Sequence, residues 1–197
     1  MRVSKVSKAQ IIERARSEFI SRGFNAVRID DIAAALGMSK KTFYRHFASK
    51  EDLVRAVVVA TMDGIFADAV EIIDGTGGAF AKINALIEGI TRRLAALSPG
   101  APAELQRSFP AVFEEMMARR HKFLQRYVAV IANGQRRREV RRDYSPQALC
   151  SATVAVIEAL GQPSFFERSG LDLTETAGLI RDFLIGGLSS RRREVPR

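Results

Sequence analysis

The chain contains one cysteine, Cys150, and only two histidines. A single thiol excludes an internal disulfide and a cysteine-based metal site, and two imidazoles cannot build a histidine-rich metal or catalytic cluster. Long hydrophobic runs are also missing. Asp63 and Glu158 interrupt the two best candidates for the ~18 apolar residues that a membrane span needs. No apolar signal core follows Met1-Arg2-Val3-Ser4-Lys5, so the expectation is a cytoplasmic protein with no membrane partner. Catalytic signatures are lacking as well: Gly75-Thr76-Gly77-Gly78 has no Lys-Ser/Thr to complete a phosphate-binding loop, and neither a nucleophile elbow nor metal-ligand spacing occurs. No enzyme, metal or cofactor is expected. Strand-like alternation and internal repeats are absent too.

What is present is an ordinary globular balance, 47% apolar and 27% charged over 197 residues, enough for one domain or one with a small appended module. Its net charge of +9 is uneven. Up to Arg55, twelve Lys/Arg face six acids, and the remaining excess clumps at Arg136–Arg138, Arg141–Arg142 and Arg191–Arg193. Basic proteins attract polyanions, chiefly nucleic acid and anionic membrane, and charge alone does not choose between them.

Apolar spacing of three and four makes nearly every segment a helix. Ser7 with Gln10 opens the first helix as a capping box, Ile11, Ile12, Ala15 and Phe19 mark its buried face, and Gly23 ends it. Asp30 to Leu36 forms a second, Ser39 caps a third carrying Phe43 and Phe47, and Ser49 with Asp52 opens a longer fourth. Breaks at Asp74–Gly78 and Ser98–Pro102 bracket a helix from Ala79 to Leu97 with Phe80, Ile83, Leu86, Ile87, Ile90 and Leu94 on one side. A short helix through Leu105 to Phe109 meets Pro110, which suits the first turn of a long successor. Ser145-Pro146 starts a helix that is small or apolar all round, and Leu171 to Leu188 forms the last. A helix without a polar face must be covered on more than one side, so residues 146–160 and 172–188 are the expected self-association surface, the first alternatively being an ordinary central core helix.

The informative stretch is Ile29 to Leu53. Ala33, Gly37, Met38 and Ser39 have helix-turn-helix spacing: a small residue for close crossing, a glycine for positive φ, a plug and a cap. The second helix then sets Lys40, Lys41, Thr42, Tyr44, Arg45 and His46 beside its apolar anchors Phe43 and Phe47, as insertion into a DNA major groove requires.

Gly23-Phe24, Ile29, Asp31-Ile32-Ala33, Gly37-Met38-Ser39-Lys40, Thr42-Phe43-Tyr44-Arg45-His46-Phe47 and Ser49-Lys50-Glu51-Asp52-Leu53 resemble the N-terminal signature of TetR-family transcriptional regulators. The likeness covers roughly the first 55 residues. It implies an all-α protein of about nine helices, with a three-helix DNA-binding domain over 1–53 and a ligand-binding and dimerisation domain over 54–197. It also implies a homodimeric repressor that binds a palindromic double-stranded operator and answers to a small-molecule effector. By position, Lys40 and Thr42 match residues that face bases or phosphates. Tyr44, His46 and Lys50 match backbone contacts, which suits a phenol, an imidazole and an ammonium near helix N-termini. Tyr44 could instead be a core aromatic, His46 could cap the end of its helix, and Arg45 reads as solvated.

Three positions depart from the family pattern. Arg28 stands where Thr or Ser usually caps the second helix, so Asp30 is expected to begin that helix while Arg28 reaches the DNA backbone as a cation. Lys41 replaces a small residue and adds a base or phosphate contact. Arg138 stands where relatives often have glycine, which leaves Gly134 as an earlier helix end. Ahead of the first helix, Arg2, Lys5 and Lys8 form a basic arm that either follows the minor groove or stays solvated.

In the effector half, Met62, Phe66, Phe109, Phe113, Met116, Met117, His121 and Tyr127 are the candidate lining of a pocket for apolar or aromatic compounds, and each can equally serve as plain core. His121, among Arg119, Arg120 and Lys122, also fits the surface. Glu158, the only acid in its helix, pairs with an arginine, senses a cationic ligand or lies exposed; the first is expected, because a buried lone carboxylate is costly. The alternative is a regulator of the same fold that takes no inducer and is controlled by a protein partner or DNA occupancy. An apolar cavity among the C-terminal helices separates the two, and a filled core favours the second.

Overall fold

The computed structural model describes residues 6–94 and 100–189. Arg2, Lys5, the Ser98-Pro99 break and Arg191–Arg193 lie outside the described residues. Within them the protein is all-α, with ten helices and no strand. Two compact units share the chain, which passes from the first to the second at Gly64–Ile65 and again at Arg119–Arg120.

The first unit opens with α1 (Lys8–Arg22), where Ser7 Oγ accepts from Gln10 N (3.2 Å) and Gln10 Oε1 accepts from Ser7 N (2.8 Å). Ile11, Ala15 and Phe19 are buried along one face. Gly23 then takes φ +79° and its N–H closes on Phe19 O. Lys8 is the first residue of this helix, so it belongs to α1 and not to an arm; its ammonium lies 4.9 Å from the centre of the Phe47 ring.

Helix α2 (Ile29–Ala35) starts one residue before Asp30. Arginine has no acceptor to cap with, and the helix start is tied from the other side: Asp31 Oδ2 accepts from Arg28 N (3.2 Å) and from Arg22 Nη2 (3.1 Å). These contacts hold the Asp31 carboxyl below its ordinary range, the Arg28 N–H chief among them. Gly37 supplies φ +62°, Met38 N returns to Ala33 O (3.0 Å), and half-buried Met38 packs on the core. Ser39 Oγ accepts from Thr42 N (3.1 Å) to start α3 (Lys40–Tyr44), and Ser49 Oγ accepts from Asp52 N (3.0 Å) to start α4 (Lys50–Asp74). Phe47 falls in the turn after α3, buried with Phe43.

After α5 (Ala79–Leu94) comes α6 (Ala101–Ser108), which includes Ala101 and Pro102 because a first-turn proline lacks only an N–H the helix does not use. Leu105 and Val112 complete the first core, with Val112 on α7 (Pro110–Arg136).

The second unit buries Ile83, Leu86 and Ile87 of α5 against Tyr127 and Ile131 of α7. Leu149 and Cys150 of α8 (Pro146–Leu160) and Ile180 and Leu184 of α10 (Leu173–Leu188) join them. A short α9 (Pro163–Ser169), closed by Gly170 at φ +69°, adds a helix that apolar spacing alone does not separate. Gly134 does not end α7. It is a contact point, where an added Cβ would lie 2.6 Å from Ala79 Cβ and 2.6 Å from Val140 Cγ2. The chain turns instead at Arg138, which adopts φ +60° without being glycine.

Candidate nucleic-acid interface

The first unit folds its second and third helices so that Ala33 and Phe43 face inward and a row of donors faces out. Phe43 is fully buried and Phe47 is 3% exposed, whereas Tyr44, edge-on to Phe43 with ring centroids 5.6 Å apart, is 45% exposed. Tyr44 is therefore an outward phenol, not a core aromatic. Lys41 and Arg45 are exposed on the same short helix and its end. Lys40 is exposed too, with its ammonium 3.0 Å from Asp30 Oδ1, an ion pair that solvent weakens and that a DNA phosphate can displace. Thr42 is half-buried and its hydroxyl lies 2.9 Å from Ser39 Oγ, so part of its hydrogen-bonding capacity serves the cap. His46 is half-buried after the end of α3, and Arg28 is exposed at the start of α2.

Lys50 is the residue whose surroundings differ most from the sequence expectation. It is half-buried, and its Nζ donates to Asn25 O (3.2 Å) in the turn after α1. Burial pushes its pKa down, and the nearby Glu104 carboxylate opposes that fall. Nothing in the sequence marks Asn25 and Glu104 as partners. Glu104, on α6, accepts from Phe24 N (3.0 Å) and Asn25 N (2.7 Å), and Asn25 Nδ2 donates to Ser108 Oγ (2.9 Å). Residues about 80 positions apart meet here, and no local spacing could have announced them.

The eight residues expected to line an effector pocket are divided. Met62, Phe109, Phe113 and Met116 pack on the core of the first unit. Phe66 stacks on Phe123 in the second, with centroids 4.9 Å apart. Met117 is half-buried, and His121 is exposed, 3.4 Å from Gln125 Nε2, which places it at the surface. The division has a simple cause: α4 and α7 each contribute to both units, so their apolar stripes are shared between two cores. Tyr127 is buried in the second core, where burial pushes its pKa up to about 12 and a side-chain hydrogen bond with Thr153 opposes the rise. Thr153 beside it spends its own proton on Leu149 O (2.8 Å).

A cavity of about 260 Å³ in the second unit has walls that include Ile73, Asn133, Lys82, Arg126 and Arg136, and none of the eight. Lys82 Nζ donates to Ile73 O (2.6 Å), Arg126 pairs with Asp74 (3.6 Å), and Glu139 occupies the start of α5 through Ala79 N (2.6 Å). Glu158 pairs with Arg120 at 2.6 Å, but its side chain is 52% exposed, so the pair forms at the surface and is not forced by burial of a lone carboxylate. On α10, Leu179 is 41% and Phe183 62% exposed, and Gly186 and Gly187 open onto empty space.

Residues 11–57 match the family of bacterial regulatory proteins named tetR. Over 79 residues the chain is 32% identical to the HTH-type transcriptional repressor KstR2 of Mycobacterium tuberculosis H37Rv, a match that takes in 40% of this chain and 40% of that relative's length. In fold it matches a transcriptional regulator of the TetR/AcrR family from Thermobifida fusca YX-ER1, with a TM-score of 0.76 at 24% identity over 96% of this chain and 98% of that one. It also matches the regulator FadR of Bacillus subtilis, solved in complex with stearoyl-CoA, with a TM-score of 0.77 at 18% identity over 92% and 100%. At such identities the two structures bear on fold alone.

Proposed function

We propose, from the premise that this chain belongs to the TetR family of bacterial regulatory proteins, that two copies bind an inverted-repeat operator and block transcription until a small ligand releases them. The observation that carries this reading is the Ser39-capped α3, which presents Lys40, Lys41 and Tyr44 outward over buried Phe43 and Phe47. A short helix with donors on one side and an apolar back enters the major groove, and phosphate contacts fix its register. Lys40, Lys41 and Thr42 are the residues for base edges and adjoining phosphates. Arg28, Tyr44, His46 and Lys50 hold the backbone. The protein works without catalysis, in the cytoplasm where the DNA lies.

The dimer forms through α8 and α10, whose exposed Leu179 and Phe183 would otherwise meet water. Two heads held ~34–36 Å apart fit successive major grooves. Ligand favours a conformer with another spacing, a shift that needs a few kcal/mol of differential affinity. Helix α4 is the lever, since it contributes to both compact units. The ligand is mostly apolar or aromatic, in keeping with the Phe66–Phe123 stack of the second unit. One observation favours a second reading, regulation without an inducer: four of the eight candidate pocket residues already fill the first core.

Selection of bound sequences from a random duplex pool tests the proposal. Enrichment of an inverted repeat with half-sites about 10 base pairs apart, or a multiple of that, is expected. A pool that stays random after repeated rounds rejects operator recognition.

A further inference from the structure

Within the first compact unit, the turn that follows α1 is held from outside the helix-turn-helix. Gly23 at φ +79° turns the chain so that Phe24 N–H and Asn25 N–H point the same way. Successive backbone donors in such a turn form a concavity that takes an anion. Here the anion is internal: Glu104 Oε2 accepts from Phe24 at 3.0 Å and Oε1 from Asn25 at 2.7 Å. The fit is close, since a Cβ at position 23 would lie 2.7 Å from Glu104 Oε2. Asn25 passes the constraint on. Its side chain donates to Ser108 Oγ on the same helix as Glu104, and its carbonyl receives Lys50 Nζ at 3.2 Å.

We propose that Glu104 is a positioning residue for DNA binding, which by fixing the Phe24–Asn25 backbone sets the carbonyl that aims the Lys50 ammonium at a DNA phosphate. An ammonium has three donors, so one bond to Asn25 O leaves two for phosphate oxygens. Partial burial of Lys50 makes its aim matter more, because an ammonium that has shed part of its hydration shell gains most from a fixed anion. The inference rests on the DNA-binding reading of the head, and its test separates the two.

The sign of the effect is diagnostic. Removing an acid from a DNA-binding protein raises its positive charge and by long-range electrostatics tightens binding. Loss of a positioning acid weakens it. The probe is a fluorescein-labelled duplex of mixed sequence, about 30 base pairs long, titrated with the full-length chain across roughly 50–200 mM NaCl. Lys50→Ala is expected to lower the log–log salt slope by about 0.9 for each phosphate no longer neutralised. Glu104→Ala is expected to reproduce most of that fall in slope and to weaken binding about 3- to 10-fold at 100 mM salt, with the double variant no worse than Lys50→Ala alone. Hydrogen exchange at Phe24 and Asn25 should quicken in parallel. If Glu104→Ala does not fold, Glu104→Gln carries the test, since its amide nitrogen must face one of the two N–H groups and the same direction is expected. Tighter or unchanged binding in the soluble Glu104 variant, with the slope of the parent, overturns the positioning role and leaves DNA binding standing. A parent that shows no salt-dependent duplex binding overturns both.

Discussion

In the first compact unit the backbone donors at the starts of α1, α2, α3 and α4, and in the turn after α1, find side-chain acceptors. In the second, the Thr176 hydroxyl and the Asn84 side-chain oxygen are buried with no partner, and Phe183 stands in water. Among the described residues the first unit holds no such buried side-chain atom, whereas the second leaves polar atoms unmatched inside and apolar side chains exposed outside. A buried polar atom without a partner costs ~1–3 kcal/mol.

The contrast can be broken at its most exposed point. Phe183→Asp puts a carboxylate into the proposed isologous interface twice over, and is expected to weaken the dimer by on the order of 4 kcal/mol, roughly a thousand-fold. Sedimentation velocity against concentration reads this directly, and a variant as dimeric as the parent shows that α10 is not the interface.

The interior of the second unit is tested by Tyr127. Its pKa in the fold, about 12 against an ordinary value of 10.0, is raised, so the neutral phenol is favoured in the folded chain. The stability tied to it is whole below pH 10 and is lost as pH rises through 12, by about 2–3 kcal/mol. Urea unfolding of Tyr127→Phe should therefore lack this alkaline decline. A variant that keeps the decline shows that another group is responsible for it.

Packing is expected to matter somewhat less. Gly134→Ala drives a Cβ into Ala79 and Val140 at 2.6 Å, costing about 1–3 kcal/mol of overpacking. That corresponds to a melting temperature lower by roughly 2–4 °C per kcal/mol in a chain of this size. An unshifted melting curve shows that α5 yields easily. Smallest of all, Arg138→Gly removes the positive-φ penalty after α7 but adds unfolded-state entropy and gives up the side chain's own contacts, so unfolding should change by less than about 1 kcal/mol. Urea unfolding checks it, and a clearly destabilised variant shows that the arginine side chain holds the turn.

These sites also show what sequence makes legible. Ser7 with Gln10, Ser39 with Thr42 and Ser49 with Asp52 lie three residues apart, so the physics of a helix start is written within one turn, and all three caps form. The helix-turn-helix was readable for the same reason, through Ala33, Gly37 and Met38. The Arg120–Glu158 pair forms, yet not for the expected reason, because Glu158 lies exposed and needs no partner. The Glu104 contact with Phe24 and Asn25 was invisible, because a single glutamate on a short helix carries no mark of what it reaches. Pocket residues were hard to read for another reason: Met and Phe at helical spacing look alike whether they line a core or a ligand. Met62 and Phe113 turned out to face the first core, while Tyr127 sits in the second. Asp31 stood in plain view as a family residue, yet its work as the cap for Arg28 follows only once arginine is known to occupy the N-cap.

Sedimentation equilibrium on the chain alone, and then with the duplex recovered by selection, addresses the whole arrangement in one experiment. Twice the 21.8 kDa chain mass in the free protein, and two chains on each duplex, is the expected outcome. A species of 21.8 kDa at every concentration, with no chain retained on the duplex, would contradict it.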